Sequence, residues 1–225
     1  MLQVILKNLI TKNMIENTLN QITNWLIKNA PRIAAYSLNK PASTADLHNL
    51  SNLTVKQFPK DFLILYKTYN GINDDVNWGN FFYGMLFYSI NDIIADQEFR
   101  TSQSKDIQSI PLKHFDPEIN GTNLYNLNWI GLGSNGSRNS LRLDLSPAEQ
   151  GTYGQIIFVD GDQLVAFVVA DSITDLLNIF LKYLENGLYS LNSEALEDGQ
   201  HFLDPNETID LDNWPDIEKW KKYST

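Results

Sequence analysis

The chain has 225 residues, 43% of them apolar and 12% aromatic, with no cysteine and a net charge of −10. This apolar content supports a sizeable core and excludes a wholly disordered chain. The missing cysteine excludes disulfides, a thiol nucleophile and Cys-ligated metal centres, and the acidic balance argues against binding a phosphate backbone, so nucleic acid is not an expected partner.

No stretch reaches the ~20 uninterrupted apolar residues of a membrane-spanning helix. The segment Met1 to Ile10 is broken by Gln3, Lys7 and Asn8, unlike a secretory signal, so a cytoplasmic protein without membrane contact is expected. Charge is unevenly placed: residues 185–225 are strongly acidic, whereas basic residues outnumber acids over 1–45. An acidic patch either keeps the protein soluble or steers a basic protein partner onto it.

In chain order, Ile15, Leu19, Ile22 and Leu26 recur at helical spacing and predict a first helix from about Asn13 to Asn29, stopped before Pro31. Ser43-Thr44-Ala45-Asp46 sets a hydroxyl cap with an acid three residues on, opening a second helix with Leu47 and Leu50 inward. Pro59 starts a third, with Phe62, Leu65, Tyr66 and Tyr69 on one face, and Asn70-Gly71 supplies its stop. Residues 73–79 read as a polar turn with a lone Trp78. Residues 81–90 are aromatic-rich and strand-like. These aromatics are either sheet core or a recognition surface, with Trp78 and Tyr83 as candidate anchors.

Ser89-Ile90-Asn91-Asp92 caps a further helix carrying Ile93 and Ile94. Residues 101–126 read as a long loop with one short strand near Ile110 to Leu112. The chain then turns to sheet. Between Leu141 and Leu145 apolar and polar residues alternate, so Leu141, Leu143 and Leu145 should point inward and Arg142 and Asp144 outward. Outward charge is either plain solvation or part of a polar recognition face. On this reading Leu143→Asp should unfold the protein and Arg142→Asp should not. Asp160-Gly161 separates two apolar runs as a tight hairpin that tolerates positive φ. Ser172 caps an amphipathic helix through Leu184, closed by Asn186-Gly187.

Residues 191–225 read as an acidic extension to a domain of 1–190, ending in a short helix at Asn213-Trp214-Pro215 whose tryptophans should dock on the body. Asp198, Asp204, Asp210 and Asp212 in this extension are candidate steering charges.

Three segments in fixed order resemble the SUKH superfamily. Pro41-Ala42-Ser43-Thr44 with Asp46 and Leu47 is similar to its "P-x-A-T-x-x-E-I" helix start. Phe58-Pro59-Lys60-Asp61-Phe62 through Tyr69-Asn70-Gly71 resembles its "LP-x-D-Y … NG" helix. Trp129-Ile130-Gly131-Leu132-Gly133-Ser134-Asn135-Gly136, then Leu143-Asp144-Leu145 and Gly154-Gln155-Ile156, resembles its "W-I-P-I-G-x-D-G … I-x-L-D … G-x-V" sheet. Gly131 stands where proline is usual, and Asn135 where aspartate is usual. The resemblance implies an α+β fold, a largely antiparallel sheet partly wrapped by helices. It also implies a bacterial immunity protein that binds a polymorphic or contact-dependent toxin, such as a nuclease or deaminase, with a cell-wall assembly or stress-signalling regulator as the alternative.

Chemistry is not evident. His48, His114 and His201 are far apart, without metal-ligand spacing. No G-x-S-x-G elbow is present, and the G-x-G-x-x-G of residues 131–136 leads into a strand instead of a helix, so it does not fit a dinucleotide site. No metal, cofactor or catalytic residue is therefore expected, and the chain reads as a protein-binding module, not an enzyme.

Overall fold

The computed structural model describes residues 2–106 and 109–224. Met1, and the side chains up to Thr11 on which the reading of the N-terminal segment partly rests, lie outside the described residues. Helix α1 runs Leu2–Asn29, longer than its apolar stripe, because no Gly or Pro interrupts the chain before Pro31. Ile15, Leu19, Ile22 and Leu26 are all essentially inaccessible. A single wide π-type turn follows at Ile33–Ser37.

Helix α2 (Thr44–Ser51) carries the expected capping box: Ser43 Oγ accepts from the Asp46 amide and Asp46 accepts from the Ser43 amide. Helix α3 (Lys60–Tyr66) is shorter than expected and ends four residues before Asn70. At Gly71 the backbone takes φ +72, and a Cβ built there would lie 2.3 Å from the Ser89 amide nitrogen. Gly71→Ala combines a strained backbone with a clash against main chain. It is expected to lower the urea midpoint by an amount equivalent to about 2 kcal/mol or more, and an unchanged midpoint would show that the crossing relaxes freely.

The main sheet has six strands in the order β1-β3-β4-β5-β6-β2. These are β1 (Leu86–Phe87), β2 (His114–Phe115), β3 (Trp129–Ser134), β4 (Asn139–Asp144), β5 (Gln155–Asp160) and β6 (Val165–Ala170). All pairs are antiparallel except β2 with β6. The architecture is α+β, as expected.

Several local expectations are corrected. Residues 81–90 do not form one strand: a 3₁₀ turn at Phe82–Gly84 precedes the two-residue β1, because Tyr83 and Gly84 both adopt positive φ and break the extended run. The short strand expected near Ile110 lies at His114–Phe115. Helix α4 (Ile90–Asp106) runs well into the expected loop. The hairpin joining β5 to β6 spans four residues, and its positive φ falls on Leu164 (+61°), not Gly161. Asp160 Oδ1 accepts the amides of Asp162 and Gln163 and holds that longer turn.

The sheet is covered on both faces. Leu141, Leu143, Ile156, Phe158, Phe167 and their neighbours meet α1, α3 and helix α5 (Ile173–Glu185) in one large core. Along α5 the side chains of Ile173, Leu176, Leu177, Phe180 and Leu184 are buried; each contributes at most ~1.5–3 kcal/mol by transfer from water. The other face carries a second cluster, in which Trp129, Ile157, Val159 and Ala166 pack under Leu112, Ile119 and Leu124 from the segment after α4.

The acidic C-terminal stretch forms a small hairpin, β7 (Tyr189–Leu191) with β8 (Leu203–Pro205), around the short helix α6 (Ser193–Glu197). Its last turns return to the body. Trp214 and Trp220 are buried in the main core, where Phe167 stacks on Trp220 at 5.0 Å and on Tyr223 at 5.4 Å.

Candidate interaction surface

The loop of residues 73–80 is rich in asparagine, and two of these amides fix its shape. Asn77 is fully buried: its Nδ2 donates to Ser37 Oγ (2.9 Å) and to the His201 carbonyl (3.0 Å), and its Oδ1 accepts the His201 amide (2.7 Å) and Arg32 Nε (3.3 Å). Asn80 mimics a strand partner to Leu203, donating to its carbonyl and accepting its amide, both at 2.6 Å. Buried amides with their donors and acceptors satisfied are stiff anchors. The loop is thus stitched to the segment leading into β8.

Between these two anchors Trp78 points outward and is 70% exposed, while its own amide donates to Gln200 Oε1 (2.9 Å). Val76 (53% exposed) lies beside it, and Arg32, which donates to the Val76 carbonyl, carries its guanidinium over the ring of the exposed Tyr36 (48%) at 5.2 Å. Asp74, Asp75 and Asp198 share a shallow depression of about 280 Å³ with Trp78 and Gln200. The result is an apolar cluster on a rigid platform with a carboxylate rim. Of the expected anchors and steering charges, Trp78 and Asp198 come together.

The remaining candidates lie elsewhere. Tyr83 is not an exposed anchor: its amide donates to the Tyr189 hydroxyl (2.8 Å), its ring packs edge-on against Tyr183, and burial raises its hydroxyl pKa well above the usual value. Asp204 accepts from Asn192 Nδ2 (2.7 Å) inside the small hairpin. Asp210 caps the turn that positions Trp214. Asp212 accepts from Asn135 and Asn139, tying the C-terminal stretch to the β3–β4 turn. These three acids already serve local structure.

Arg142 and Asp144 do alternate away from the leucines, but they do not reach solvent, because α4 and the segment after it cover that face. Arg142 is 7% exposed and forms a two-point ion pair with Asp96 of α4, Nη1 to Oδ2 at 2.8 Å and Nη2 to Oδ1 at 3.2 Å. Asp144 is wholly buried, accepting from the Ser146 amide (2.8 Å) and Gln155 Nε2 (3.0 Å). Burial raises its pKa, and those two hydrogen bonds oppose the rise. Both side chains are interior polar groups, so the expectation of an outward recognition face at β4 is corrected.

Sequence reasoning missed Tyr36, Val76 and the platform asparagines. The run of asparagines around a lone tryptophan was the available signal, since amides that fold a loop onto distant main chain look like ordinary turn residues in one dimension. Among the described residues no group of three His, Asp or Glu side chains is arranged to hold a metal ion, and no helix is long and apolar enough to cross a membrane. His201 Nδ1 accepts the Arg32 amide (3.4 Å) behind the platform.

This architecture defines an α+β domain whose largely antiparallel sheet is partly wrapped by helices, with an exposed aromatic side chain on an anchored loop. The sequence matches the SMI1 / KNR4 family (SUKH-1) over residues 41–179, and the chain belongs to that family. A "KNR4/SMI1 homolog" of Kluyveromyces lactis is similar to it, with 34% identity over 90 residues, 40% of this chain. That match covers 17% of the relative, so the chain corresponds to a small part of its length. The expected helix starts at residues 41–47 and 58–71, and the sheet from Trp129, all fall within the matched span.

Proposed function

We propose that this protein is a cytoplasmic, non-enzymatic binding protein that neutralises a toxin domain by covering it, with the Trp78 surface as the contact. The observation that carries this reading is Trp78 itself, a large aromatic held 70% exposed by a loop that two buried asparagines immobilise. Large exposed aromatics on stiff supports are the residues on which binding energy concentrates, since little ordering entropy is lost on contact. The carboxylates of Asp74, Asp75 and Asp198 favour a partner with a basic surface, as nuclease domains have.

The test uses the tagged full chain and its Trp78→Ala variant for capture from the native cell, followed by expression of the captured partner alone. Trp78→Ala should leave the unfolding midpoint unchanged and weaken binding by about 2 kcal/mol or more, roughly thirtyfold. Raising salt from about 50 to 500 mM should slow association far more than dissociation, because screening acts on the acidic rim at long range. A toxic partner silenced by the wild type but not by Trp78→Ala supports the reading. A partner held equally well by both proteins removes the Trp78 surface from the argument, and a partner without toxicity removes immunity. The second reading, a scaffold in cell-wall assembly or stress signalling, is favoured by the likeness to the yeast KNR4/SMI1 homologue; several regulatory partners and no toxic one would establish it.

A further inference from the structure

On the sheet face that α4 covers, the two layers leave a cavity of about 460 Å³. Its walls have an unusual charge balance for so acidic a chain. Arg100 of α4 and Arg142 of β4 both line it, and both are less than 10% exposed. Asp96 is committed to Arg142 through two hydrogen bonds. Among the described residues no carboxylate lies within ion-pair distance of Arg100. Its Nη2 donates to the carbonyls of Leu124 (2.8 Å) and Asn126 (3.2 Å), and its buried Nε has no partner.

A buried guanidinium without a counter-ion is costly, and arginine does not escape the cost by losing its proton under ordinary conditions. Burial first, and Arg142 second, pull the Arg100 pKa down to about 9 against the opposing pull of Asp96 and Tyr125, which still leaves it charged at neutral pH. The pocket is therefore one negative charge short. Its other walls suit a ligand bearing that charge. Ser134, Ser137 and Ser140 line it, and so do the aromatic residues Tyr88, Phe99 and Tyr125. Gly131 helps to keep the space open for this arrangement: a Cβ there would lie 3.0 Å from Asp96 Oδ2 and 3.2 Å from the Tyr88 ring.

We infer that this cavity binds a small organic anion, a phosphate or carboxylate head on an aromatic or apolar body, with Arg100, whose Nε has no partner, holding the head and Arg142, whose fork faces Asp96, adding positive charge beside it. A guanidinium fork matches either head group in a two-point contact, and a pocket of this size is typical of small-molecule sites. Arg138 stands at the rim, its ion pair with Asp162 largely in solvent at 3.3 Å. The site is independent of the Trp78 surface and shares no residue with it.

The test is calorimetric titration of the full chain with phenyl phosphate and with benzoate, using benzyl alcohol as the uncharged control. At least one anion should bind one-to-one and saturably with a Kd below about 1 mM, and the alcohol should not; whichever anion binds more tightly identifies the head group. Phe99 is 59% exposed, so Phe99→Ala should leave the unfolding midpoint of the free protein in place while weakening the bound anion about three- to tenfold. Arg100→Lys keeps the charge but loses the fork and should weaken it about tenfold or more. No saturable binding of either anion up to about 10 mM would overturn the inference, as would an affinity unmoved by both substitutions.

Discussion

Arg142→Asp is expected to unfold the protein as completely as Leu143→Asp. The two side chains point to opposite faces of β4, and in an ordinary one-sided sheet only the leucine would be sensitive. Here Leu143 lies in the main core and Arg142 lies under α4, each almost inaccessible. Leu143→Asp places an unpaired carboxylate among hydrocarbon side chains. Arg142→Asp removes the partner of Asp96, which costs about 3–5 kcal/mol for a buried pair, and adds a second carboxylate facing the first. Against a total stability of about 5–15 kcal/mol, either loss is enough to populate the unfolded state. Urea denaturation followed by circular dichroism checks both. Arg142→Met should be milder than Arg142→Asp, because it adds no like charge, though it still leaves Asp96 unpaired. A normal midpoint for Arg142→Asp would show that α4 does not hold this face closed.

Trp214→Ala should lower stability by about 3–5 kcal/mol, as expected for emptying a large buried aromatic site. Trp214 is completely buried, meets Phe167 edge-on at 6.0 Å, and donates from Nε1 to Asp160 Oδ2 at 3.0 Å. The same Asp160 holds the β5–β6 turn with its other oxygen. Losing the indole therefore opens a cavity and leaves a buried carboxylate oxygen without this donor. Trp214→Phe, which keeps most of the volume and loses the donor, should cost about 1–3 kcal/mol. Removing residues 192–225 should be still worse, since it takes away Trp214, Trp220 and Tyr223 together and uncovers Phe167, on which they pack. The thermal midpoints of the three proteins test this order. A truncated chain as stable as the full one would mean that these contacts contribute nothing to the body.

Much of the local structure was legible because its signals are local. Ser43 with Asp46, and Ser172 with Asp175, are capping hydrogen bonds between residues three apart, and both form as expected. The stripes of α1 and α5 lie where their spacing puts them. Other elements depended on partners distant in sequence. Residues 81–90 have the composition of a strand, yet Tyr83 turns to positive φ while its amide donates to the Tyr189 hydroxyl, 106 positions away. Helix α4 has few apolar residues in its second half, so its length was not readable from hydrophobic spacing. Gln97, at its middle, and Arg100 beyond it instead donate to carbonyls of residues 124–127.

The candidate surface divides in the same way. Composition singled out Trp78 as an aromatic in a polar turn, and the structure holds its side chain exposed. Nothing linear joined it to Tyr36, Val76 or Asp198, because the loop's fixed shape comes from Asn77 and Asn80 bonding to residues 201 and 203.

By itself, the sequence determined the class of the fold, the strand through Leu141 to Leu145, the antiparallel pair between Gln155 and Val169, the buried stripes of α1 and α5 and the family resemblance. Periodicity and capping act over a few residues and survive in one dimension. Tertiary structure alone decided which side of β4 is wet. Alternation records that Arg142 and Leu143 face opposite ways, but whether a face meets water depends on what another part of the chain lays over it.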